Sequence, residues 1–352
     1  MNANQFELID LAHRLLAWYD RQKRDLPWRR SKDPYRIWLA EIMLQQTQVS
    51  AVIPYFDRFL QTWPQLSDLA RARDDQVMKA WEGLGYYSRA RNLLAAARLI
   101  ETHFSGVVPK EEKELLSLPG IGEYTAAAIA AIAFGRPVVA VDGNLVRVFA
   151  RLTAKDWDPS NLSQRRQVRR LAESLLPADR PGDYNEALMD LGATICLPRR
   201  PNCSACPLAE LCLAFHQGQV ERYPAKPRRR PRPVENKIVL VLIWQKKVHV
   251  SRRPARGLLA GLYQFDWLSS SALHEGQTTE SMLAQMYPGA KISFLGEKTH
   301  HFTHKQWQLD GYAVQVEAKP ELKTGLWVDR QTLATLPFPT ALAGYREQVL
   351  LL

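Results

Sequence analysis

A short run rich in proline and arginine divides this chain of 352 residues into two parts. The run reads Pro224-Ala225-Lys226-Pro227-Arg228-Arg229-Arg230-Pro231-Arg232-Pro233. Proline lacks an amide hydrogen and restricts the residue before it, so such a segment cannot lie inside a helix or a central strand. We therefore predict an extended basic linker over residues 224–236. The chain is also too long for one ordinary core, which agrees with a domain on each side.

The part before the linker is predicted to be all-α, over residues 1–223. Its apolar side chains recur at helical spacing, which predicts helices at 6–22, 34–48, 52–63, 74–82, 87–103, 111–117, 124–134, 144–154, 163–176 and 184–195. The part after the linker, residues 237–352, is predicted to be α+β. Runs of alternating apolar and polar residues, or of β-branched residues, predict strands there at 237–244, 246–250 and 309–316. One helix is predicted at 279–287.

The chain carries 47 Lys and Arg against 36 Asp and Glu, a formal net charge of +11. The linker supplies five of these positive charges. Such an excess favours a nucleic acid partner over a membrane surface, although solubility alone would also explain it. No stretch approaches 18 uninterrupted apolar residues, so no membrane partner is expected. Residues 1–30 show no secretory signal pattern, and we expect a cytoplasmic protein associated with the nucleoid through DNA.

The 4 cysteines of the chain lie close together in its sequence, at Cys196, Cys203, Cys206 and Cys212. In a reducing compartment this clustering indicates metal binding rather than disulfides. Four thiolates hold either zinc or an iron–sulfur cluster, and the spacing alone does not decide between them. Arg199 and Arg200 lie inside the first cysteine loop, where a metal-ordered loop would present them to phosphate.

Two glycine-containing turns have spacing suited to nucleic acid binding. The first, Leu118–Gly122, joins two predicted helices; Gly120 and Gly122 let backbone amides approach an anion, as in a helix-hairpin-helix. The second, Gly83–Tyr87, places Tyr86 and Tyr87 where they would stack on bases. Alternatively, the first turn only reverses the chain direction, and the two tyrosines of the second turn are ordinary core residues.

Two carboxylates lie in otherwise apolar segments, where burying a charge that has no partner or function costs free energy of folding. Glu41 shares one predicted helix face with Leu44, Gln45 and Gln48. A nucleobase pocket suits this face, because the acid and the two amides can hydrogen-bond a base edge and the leucine can insert between bases. The alternative is that Glu41 forms a salt bridge with Arg29 or Arg36.

Asp142 is the second carboxylate, between a β-like apolar run and a predicted helix. Helix capping explains an aspartate there, and a cap is compatible with catalysis. We predict that Glu41 and Asp142 face one cleft and act as a pair.

Together these segments resemble the endonuclease-III-type superfamily of DNA glycosylases. The cysteine spacing is similar to its [4Fe–4S] loop, Leu118–Gly122 to its hairpin, and Val141–Asn144 to its catalytic aspartate segment. Residues 39–49, Gly83–Tyr87 and the second domain resemble the adenine DNA glycosylase (MutY) family. The resemblance covers nearly the whole chain. It implies a six-helix barrel with a helix-hairpin-helix, an iron–sulfur module that includes residues 196–212, and a C-terminal Nudix-like domain.

The resemblance implies a monomer that removes adenine mispaired with 8-oxoguanine or guanine in double-stranded DNA. Glu41 would be the general acid that protonates adenine N7, and Asp142 the ionised group that stabilises an oxocarbenium-like sugar. Asn144 would orient Asp142 or the attacking water. Strand-cleaving members carry a lysine where this chain has Tyr124, whose hydroxyl polarises the site but forms no imine. A monofunctional hydrolase that leaves an abasic site is therefore expected.

The resemblance also assigns base contacts. Arg29 and Glu186 would hold the flipped adenine and Glu41, while Gln46 and Tyr86 would fill the stack beside 8-oxoguanine. The 8-oxoguanine loop reads Phe302, Thr303 and His304, with threonine where the family has serine.

The opening of the second domain, Gly257–Phe265, resembles a Nudix fold. The acidic helix that holds Mg²⁺ in working Nudix hydrolases is missing, because residues 266–290 contain only Asp266, Glu275 and Glu280. Nucleoside-triphosphate hydrolysis is therefore not expected. Two other functions stay open: a glycosylase of the same fold that acts on another base, and a non-enzymatic, zinc-containing binder of damaged DNA.

Overall fold

The computed structural model describes residues 10–224, 231–269, 276–322 and 324–351. Contacts divide the chain into two compact units, residues 1–71 with 92–228 and residues 72–91 with 229–352. Linker residues 225–230 lie outside the described residues, as does Glu275. In the described part of the chain, no helix is long and apolar enough to cross a membrane.

The chain before the linker is helical, as predicted. Its α-helices are α1 Leu11–Gln22, α2 Pro34–Leu44, α3 Val49–Thr62, α4 Leu66–Arg71, α5 Asp74–Ala80, α6 Ser88–His103, α7 Glu112–Leu115, α8 Glu123–Phe134, α9 Gly143–Thr153, α10 Leu162–Glu173, α11 Pro181–Asp190 and α12 Leu213–His216. Short 3₁₀ turns occur at Pro27–Arg29, Cys203–Ala205, Ala209–Leu211 and Val220–Arg222, and a π-helical turn at Leu191–Ile195.

Helix α2 is shorter than predicted, and this changes which side chains share its face. It begins after Asp33, whose carboxylate accepts the amides of residues 35 and 36, and it ends at Leu44. Gln46 has a left-handed φ of 58°, which a right-handed helix cannot contain. Gln48 is the N-cap of α3. The predicted helix over 34–48 is therefore wrong in its last turn, and α3 begins at Val49 rather than at residue 52.

Helices α8 and α11 approach closely because small residues line their contact. The alanines of α8 other than Ala133 are buried, and a Cβ on Gly182 of α11 would lie 3.0 Å from the carbonyl oxygen of Ala131. Helix α8 ends at Phe134, and its C-cap Gly135 takes the left-handed conformation that glycine allows. This packing places the first turn of α8 beside the inner face of α11.

The β-like run before Asp142 forms no strand. The side chain of Asn185 takes the place of a strand partner: its Oδ1 accepts the amide of Ala140 at 2.8 Å, and its Nδ2 donates to the carbonyl of Val138 at 2.9 Å. The extended segment is thus held by one buried amide of α11, and it delivers Asp142 to the start of α9.

The second unit is α+β, as predicted, with a mixed sheet in the order β3-β2-β1-β6-β5. Strand β4 also pairs with β1, and β7 with β2. The strands are β1 Val234–Trp244, β2 Lys247–Arg252, β3 Tyr263–Gln264, β4 Asp266–Ser269, β5 Lys291–His301, β6 Gln306–Gln315 and β7 Leu326–Val328. The helices are α13 Thr279–Met286, α14 Arg330–Thr335 and α15 Thr340–Leu351.

Both faces of this sheet are covered by apolar side chains. Val239, Val241 and Trp307 pack with α14 and α15 on one face. Leu240 and Leu242 pack with α13 on the other. Strand β1 is buried on both faces, which explains why it reads as a continuous apolar run.

Candidate active site

A pocket of about 190 Å³ in the helical unit brings the two predicted carboxylates together. The end of α2 and the turn before α9 face this one cleft, as predicted. Seven of the side chains singled out in the sequence line it: Arg29, Glu41, Leu44, Tyr124, Asp142, Asn144 and Glu186.

Glu41 is a buried carboxyl group whose surroundings favour its protonated form. Only 5% of it is exposed. It shares a hydrogen bond with the Tyr124 side chain, while its Oε2 has no partner among the described residues. Burial, with the charges of Glu186 and Asp142, raises the pKa of Glu41 to about 7, although Tyr124 and Arg29 act in the opposite direction. A large fraction of Glu41 is therefore protonated near neutral pH.

The alternative interpretation of Glu41 as half of a salt bridge does not match the structure. Arg36 lies 3.9 Å from Asp33, at the start of its own helix. Arg29 is paired with Glu186 and Asp190.

Asp142 caps α9 and lines the pocket at the same time. Its Oδ1 accepts the amide of Leu145 at 2.7 Å, and its Oδ2 accepts Nδ2 of Asn144 at 2.8 Å. Burial raises the pKa of Asp142, while these two donors and the charge of Arg147 oppose that rise by stabilising the carboxylate. Asn144 thus holds one oxygen of the carboxylate, and its role in the reaction stays a prediction.

A buried ion-pair network holds the arginine of the pocket. The Nε of Arg29 lies 3.0 Å from Glu186, and its two NH groups bind the carboxylate of Asp190 at 2.7 and 2.9 Å. Asp190 also accepts Nε of Arg24 at 2.6 Å, and Tyr19 donates its hydroxyl to Glu186 at 2.7 Å. Asp190, Arg24 and Tyr19 were missed in the sequence. The available signal was an aspartate four positions after Glu186, on the same face of an apolar helix.

Tyr124 stands one residue inside the N-terminus of α8, over the pocket. Burial, together with the negative charges of Glu41 and Asp142, raises the pKa of Tyr124 well above its usual value. Its hydroxyl lies 3.8 Å from the sulfur of Met189. It therefore remains a neutral hydroxyl that Glu41 can use as a hydrogen-bond partner.

The glutamines after α2 do not line this pocket. Gln45 donates from Nε2 to Thr125 at 3.3 Å, and Gln46 and Gln48 are exposed. The prediction that Gln45 and Gln48 share a helix face with Glu41 is wrong, because α2 ends before them. Thr47 and Val49 line the pocket instead.

The predicted hairpin lies between α7 and α8. Gly120 has a φ of 79°, and a Cβ there would meet the side chain of Asn92 at 2.7 Å. Gly122 is the N-cap of α8 and has open space where a Cβ would stand. The first helical turn after Gly122 therefore presents free amides to an accessible surface.

The four cysteines are free thiols, of which Cys212 is buried and the other three are partly buried. Burial is the main reason that the pKa of Cys206 is raised to about 12, and the other three thiols add to the shift. Arg151 donates to Sγ of Cys196 at 3.2 Å. Among the described residues, no three Cys, His, Asp or Glu side chains are placed to hold one metal ion.

A second predicted site lies in the second unit. The hydroxyls of Tyr86 and Thr303 are 2.7 Å apart, and both residues line a pocket of about 430 Å³ with Phe302 and His304. Tyr86 is 45% exposed, whereas Tyr87 is buried and donates to the carbonyl of Phe338. The glycine turn thus supplies one exposed aromatic ring and one core residue.

Two acidic residues considered for a Nudix-type metal site are engaged elsewhere. Asp266 contacts Nδ1 of His249 at 2.5 Å, and Glu280 accepts the hydroxyl of Tyr312 at 3.0 Å. They are therefore held in separate structural contacts, and the absence of triphosphate hydrolysis stays a prediction.

Three family models match successive parts of the chain. Residues 39–178 match the HhH-GPD superfamily of base excision DNA repair proteins. Residues 196–212 match the iron–sulfur binding domain of endonuclease III, and residues 238–348 match a NUDIX domain.

Curated relatives match over most of the chain. The adenine DNA glycosylase of Homo sapiens is 35% identical over 93% of this chain and 72% of its own length. The chain belongs to the adenine DNA glycosylase family. A second member, from Buchnera aphidicola subsp. Baizongia pistaciae, is 34% identical over 82% of both chains. Family membership makes the protein a DNA glycosylase with an iron–sulfur cluster.

Solved structures resemble the helical part of this adenine DNA glycosylase family member. A thermostable thymine-DNA glycosylase superposes with a TM-score of 0.57 at 32% identity, over 61% of this chain and 100% of its own. An endonuclease III in a DNA complex gives a TM-score of 0.53 at 23% identity, over 62% of this chain and 99% of its own. The second likeness supports the fold of the helical unit.

Proposed function

We propose that the protein, acting as a monomer on double-stranded DNA, hydrolyses the N-glycosidic bond of adenine mispaired with 8-oxoguanine or guanine. The observation that carries this proposal is the pairing, in one pocket, of a carboxyl group with a pKa of about 7 and a carboxylate stabilised by fixed donors. Burial raises the pKa of both groups, but only Asp142 accepts fixed hydrogen bonds on both oxygens, which favour its charged form. This difference suits Glu41 as the acid and Asp142 as its charged partner.

In this mechanism Glu41 gives its proton to N7 of a flipped adenine, which makes the base a better leaving group. General acid catalysis of this kind contributes roughly 10²–10⁴-fold. Asp142, held by Asn144 and the amide of Leu145, stabilises the cationic sugar as the bond breaks. Water then adds to the sugar and an abasic site remains. Arg29 and Glu186 supply donors and acceptors to the edge of the base from a network that is already ordered.

Cleavage of the strand is not part of the proposed reaction. Tyr124 stands where a lysine would be needed to form an imine with the sugar. Borohydride should therefore trap no covalent protein–DNA adduct during turnover, and the strand should break only after alkali treatment. A trapped adduct would contradict the monofunctional assignment.

We propose that the iron–sulfur cluster is of the [4Fe–4S] type, held by Cys196, Cys203, Cys206 and Cys212. When bound, it supplies a covalent crosslink for a segment that contains only short turns. Arg151 fixes the loop by donating to Sγ of Cys196 and to the carbonyl of Leu197 at 2.7 Å. Purified protein should contain about four irons and as many sulfides. A colourless protein with zinc would contradict the assignment.

The decisive experiment is a single-turnover assay with duplexes that contain adenine opposite 8-oxoguanine. Replacing Glu41 with glutamine keeps the shape and removes the proton, so adenine release should slow by about 10²-fold or more. Glu114→Gln is the matched control, because Glu114 is an exposed glutamate outside the pocket. A near-normal rate for Glu41→Gln would show that Glu41 is not the acid.

A second candidate substrate deserves a direct comparison, because one 32%-identical structure is that of a thymine-DNA glycosylase. Competition between duplexes with A opposite 8-oxoguanine, A opposite G and T opposite G separates the two. Preferential release of thymine would overturn the proposed substrate while leaving the fold and the glycosylase class unchanged.

A further inference from the structure

A second cavity, here called the rear cavity, lies behind the candidate active site within the helical unit. Its volume is about 450 Å³, compared with about 190 Å³ for the catalytic pocket. Side chains that line only the rear cavity include Tyr19, Lys23, Ser31, Lys32 and Asp183. The proposed reaction gives this cavity no role so far.

The two cavities share one wall. Arg24, Arg29, Ile132 and Glu186 line both of them. The Arg29–Glu186 ion pair, 3.0 Å long, therefore has the catalytic pocket on one side and the rear cavity on the other. The side chains of Arg29 and Glu186 are 10% and 12% exposed, so they still reach solvent, whereas that of Asp190 is 1% exposed.

This wall can open without loss of its anchors. Arg29 stays bound through both NH groups to buried Asp190, and Glu186 stays bound to the hydroxyl of Tyr19 at 2.7 Å. The guanidinium of Arg29 is planar, so its Nε cannot withdraw while both NH groups hold Asp190. Opening therefore requires the Glu186 carboxylate to turn so that Oε1 leaves Nε while Oε2 keeps the Tyr19 hydroxyl.

The proposed reaction, on which this inference rests, leaves the freed base with a blocked entrance. In that reaction the flipped nucleotide occupies the catalytic pocket, and its abasic sugar remains there when the bond has broken. The free base then lies between that sugar and the Arg29–Glu186 wall. We infer that released adenine leaves through this wall into the rear cavity before the abasic DNA dissociates.

The rear cavity has groups that suit a neutral purine. Adenine offers ring-nitrogen acceptors, an amino donor and a flat aromatic face. Lys23 and Lys32 supply donors and Asp183 an acceptor. The Oγ of Ser31 is buried with no partner in the described part of the chain. Eight of the twelve residues that line the rear cavity are charged, so it would hold adenine through hydrogen bonds rather than through apolar contact.

The test uses the full-length, cluster-containing protein and a duplex carrying radiolabelled adenine opposite 8-oxoguanine. Alkali-sensitive sites report bond cleavage, and rapid gel filtration reports whether the label stays with the protein–DNA complex. In the wild type, label should leave the complex before the abasic DNA does. Ser31→Trp should fill the rear cavity and slow label release relative to cleavage by about tenfold or more, because product exit then limits the rate.

Ser31→Thr is the matched control and should release label as the wild type does. Lys32→Trp, from an exposed position on the same cavity, replaces Ser31→Trp if that variant fails to fold. Label that leaves both tryptophan variants as fast as the bond breaks, with DNA still bound, would overturn the inference. Wild-type protein that keeps its label until the DNA leaves would also overturn it. Absence of cleavage in the wild type would instead count against the proposed function.

Discussion

Glu41 is expected to cost the protein stability near neutral pH, because the same burial that raises its pKa disfavours its charged form. Its pKa is about 7 in the folded protein against an ordinary value of 4.5. The folded state therefore binds this proton more tightly than the unfolded state does. The resulting stabilisation is complete below the ordinary pKa and is lost as the pH rises through the folded value.

The variant Glu41→Gln removes this pH dependence. Its stability advantage over the wild type should grow by about 2 kcal/mol between about pH 5.5 and about pH 8. Thermal or denaturant unfolding at the two pH values measures this, with Glu114→Gln as the control that should follow the wild type. An advantage that is equal at both pH values would mean that the carboxyl group is not shifted. Catalysis by the wild type should decline over the same range, as Glu41 loses its proton.

The hairpin between α7 and α8 allows a prediction at the level of one element. Gly122 has open space at its Cβ position, so Gly122→Ala should leave unfolding within about 1 kcal/mol of the wild type. If a DNA phosphate approaches these amides, the added methyl group should weaken binding by roughly threefold to tenfold. The affinity for matched and mismatched duplexes should fall by the same factor, because the hairpin would contact phosphates rather than bases. A loss limited to the mismatched duplex would assign Gly122 a different role.

Gly120→Ala gives the contrasting result for the same element. The left-handed φ of 79° and the 2.7 Å approach to Asn92 both oppose a side chain there. The expected cost is about 1–3 kcal/mol of stability. Unfolding measurements on the two alanine variants thus separate a structural glycine from one that faces the ligand.

Periodicity predicted most of the longer helices but missed α4, α14 and α15, and it did not predict where each helix ends. Helix α2 stops at Leu44 because Gln46 takes a left-handed conformation, and a glutamine carries no local signal for that. The segment before Asp142 is extended as predicted but has no strand partner, since the distant side chain of Asn185 satisfies its backbone. Asp190 was missed for the same reason: its role comes from Arg24 and Arg29, which are remote in sequence. The local sequence pattern thus predicts helices and strands, whereas polar contacts between residues remote in sequence determine which side chains meet at the site.

At the scale of the whole molecule, the second unit is assembled from two separate stretches of the chain. Residues 72–91, which lie among the helices in sequence, belong to it. Tyr87 donates to the carbonyl of Phe338, and Arg346 pairs with Glu82. The change of composition near Tyr223 predicted a division at the linker and gave no sign of this earlier segment. The domain limits 1–223 and 237–352 stay a prediction. Tyr86 can contact Thr303 because residues 72–91 pack in the same unit as residues 229–352.

The contact between Tyr86 and Thr303 leads to a prediction for substrate choice. If this pocket binds the base opposite adenine, Thr303→Ala removes one hydroxyl contact worth about 0.5–1.5 kcal/mol. The preference for adenine opposite 8-oxoguanine over adenine opposite guanine should then fall by roughly twofold to tenfold, as measured by single-turnover rates on the two duplexes. Thr303→Ser keeps the hydroxyl and should retain the preference. Equal slowing of both duplexes by Thr303→Ala would indicate general DNA binding rather than recognition of the oxidised base.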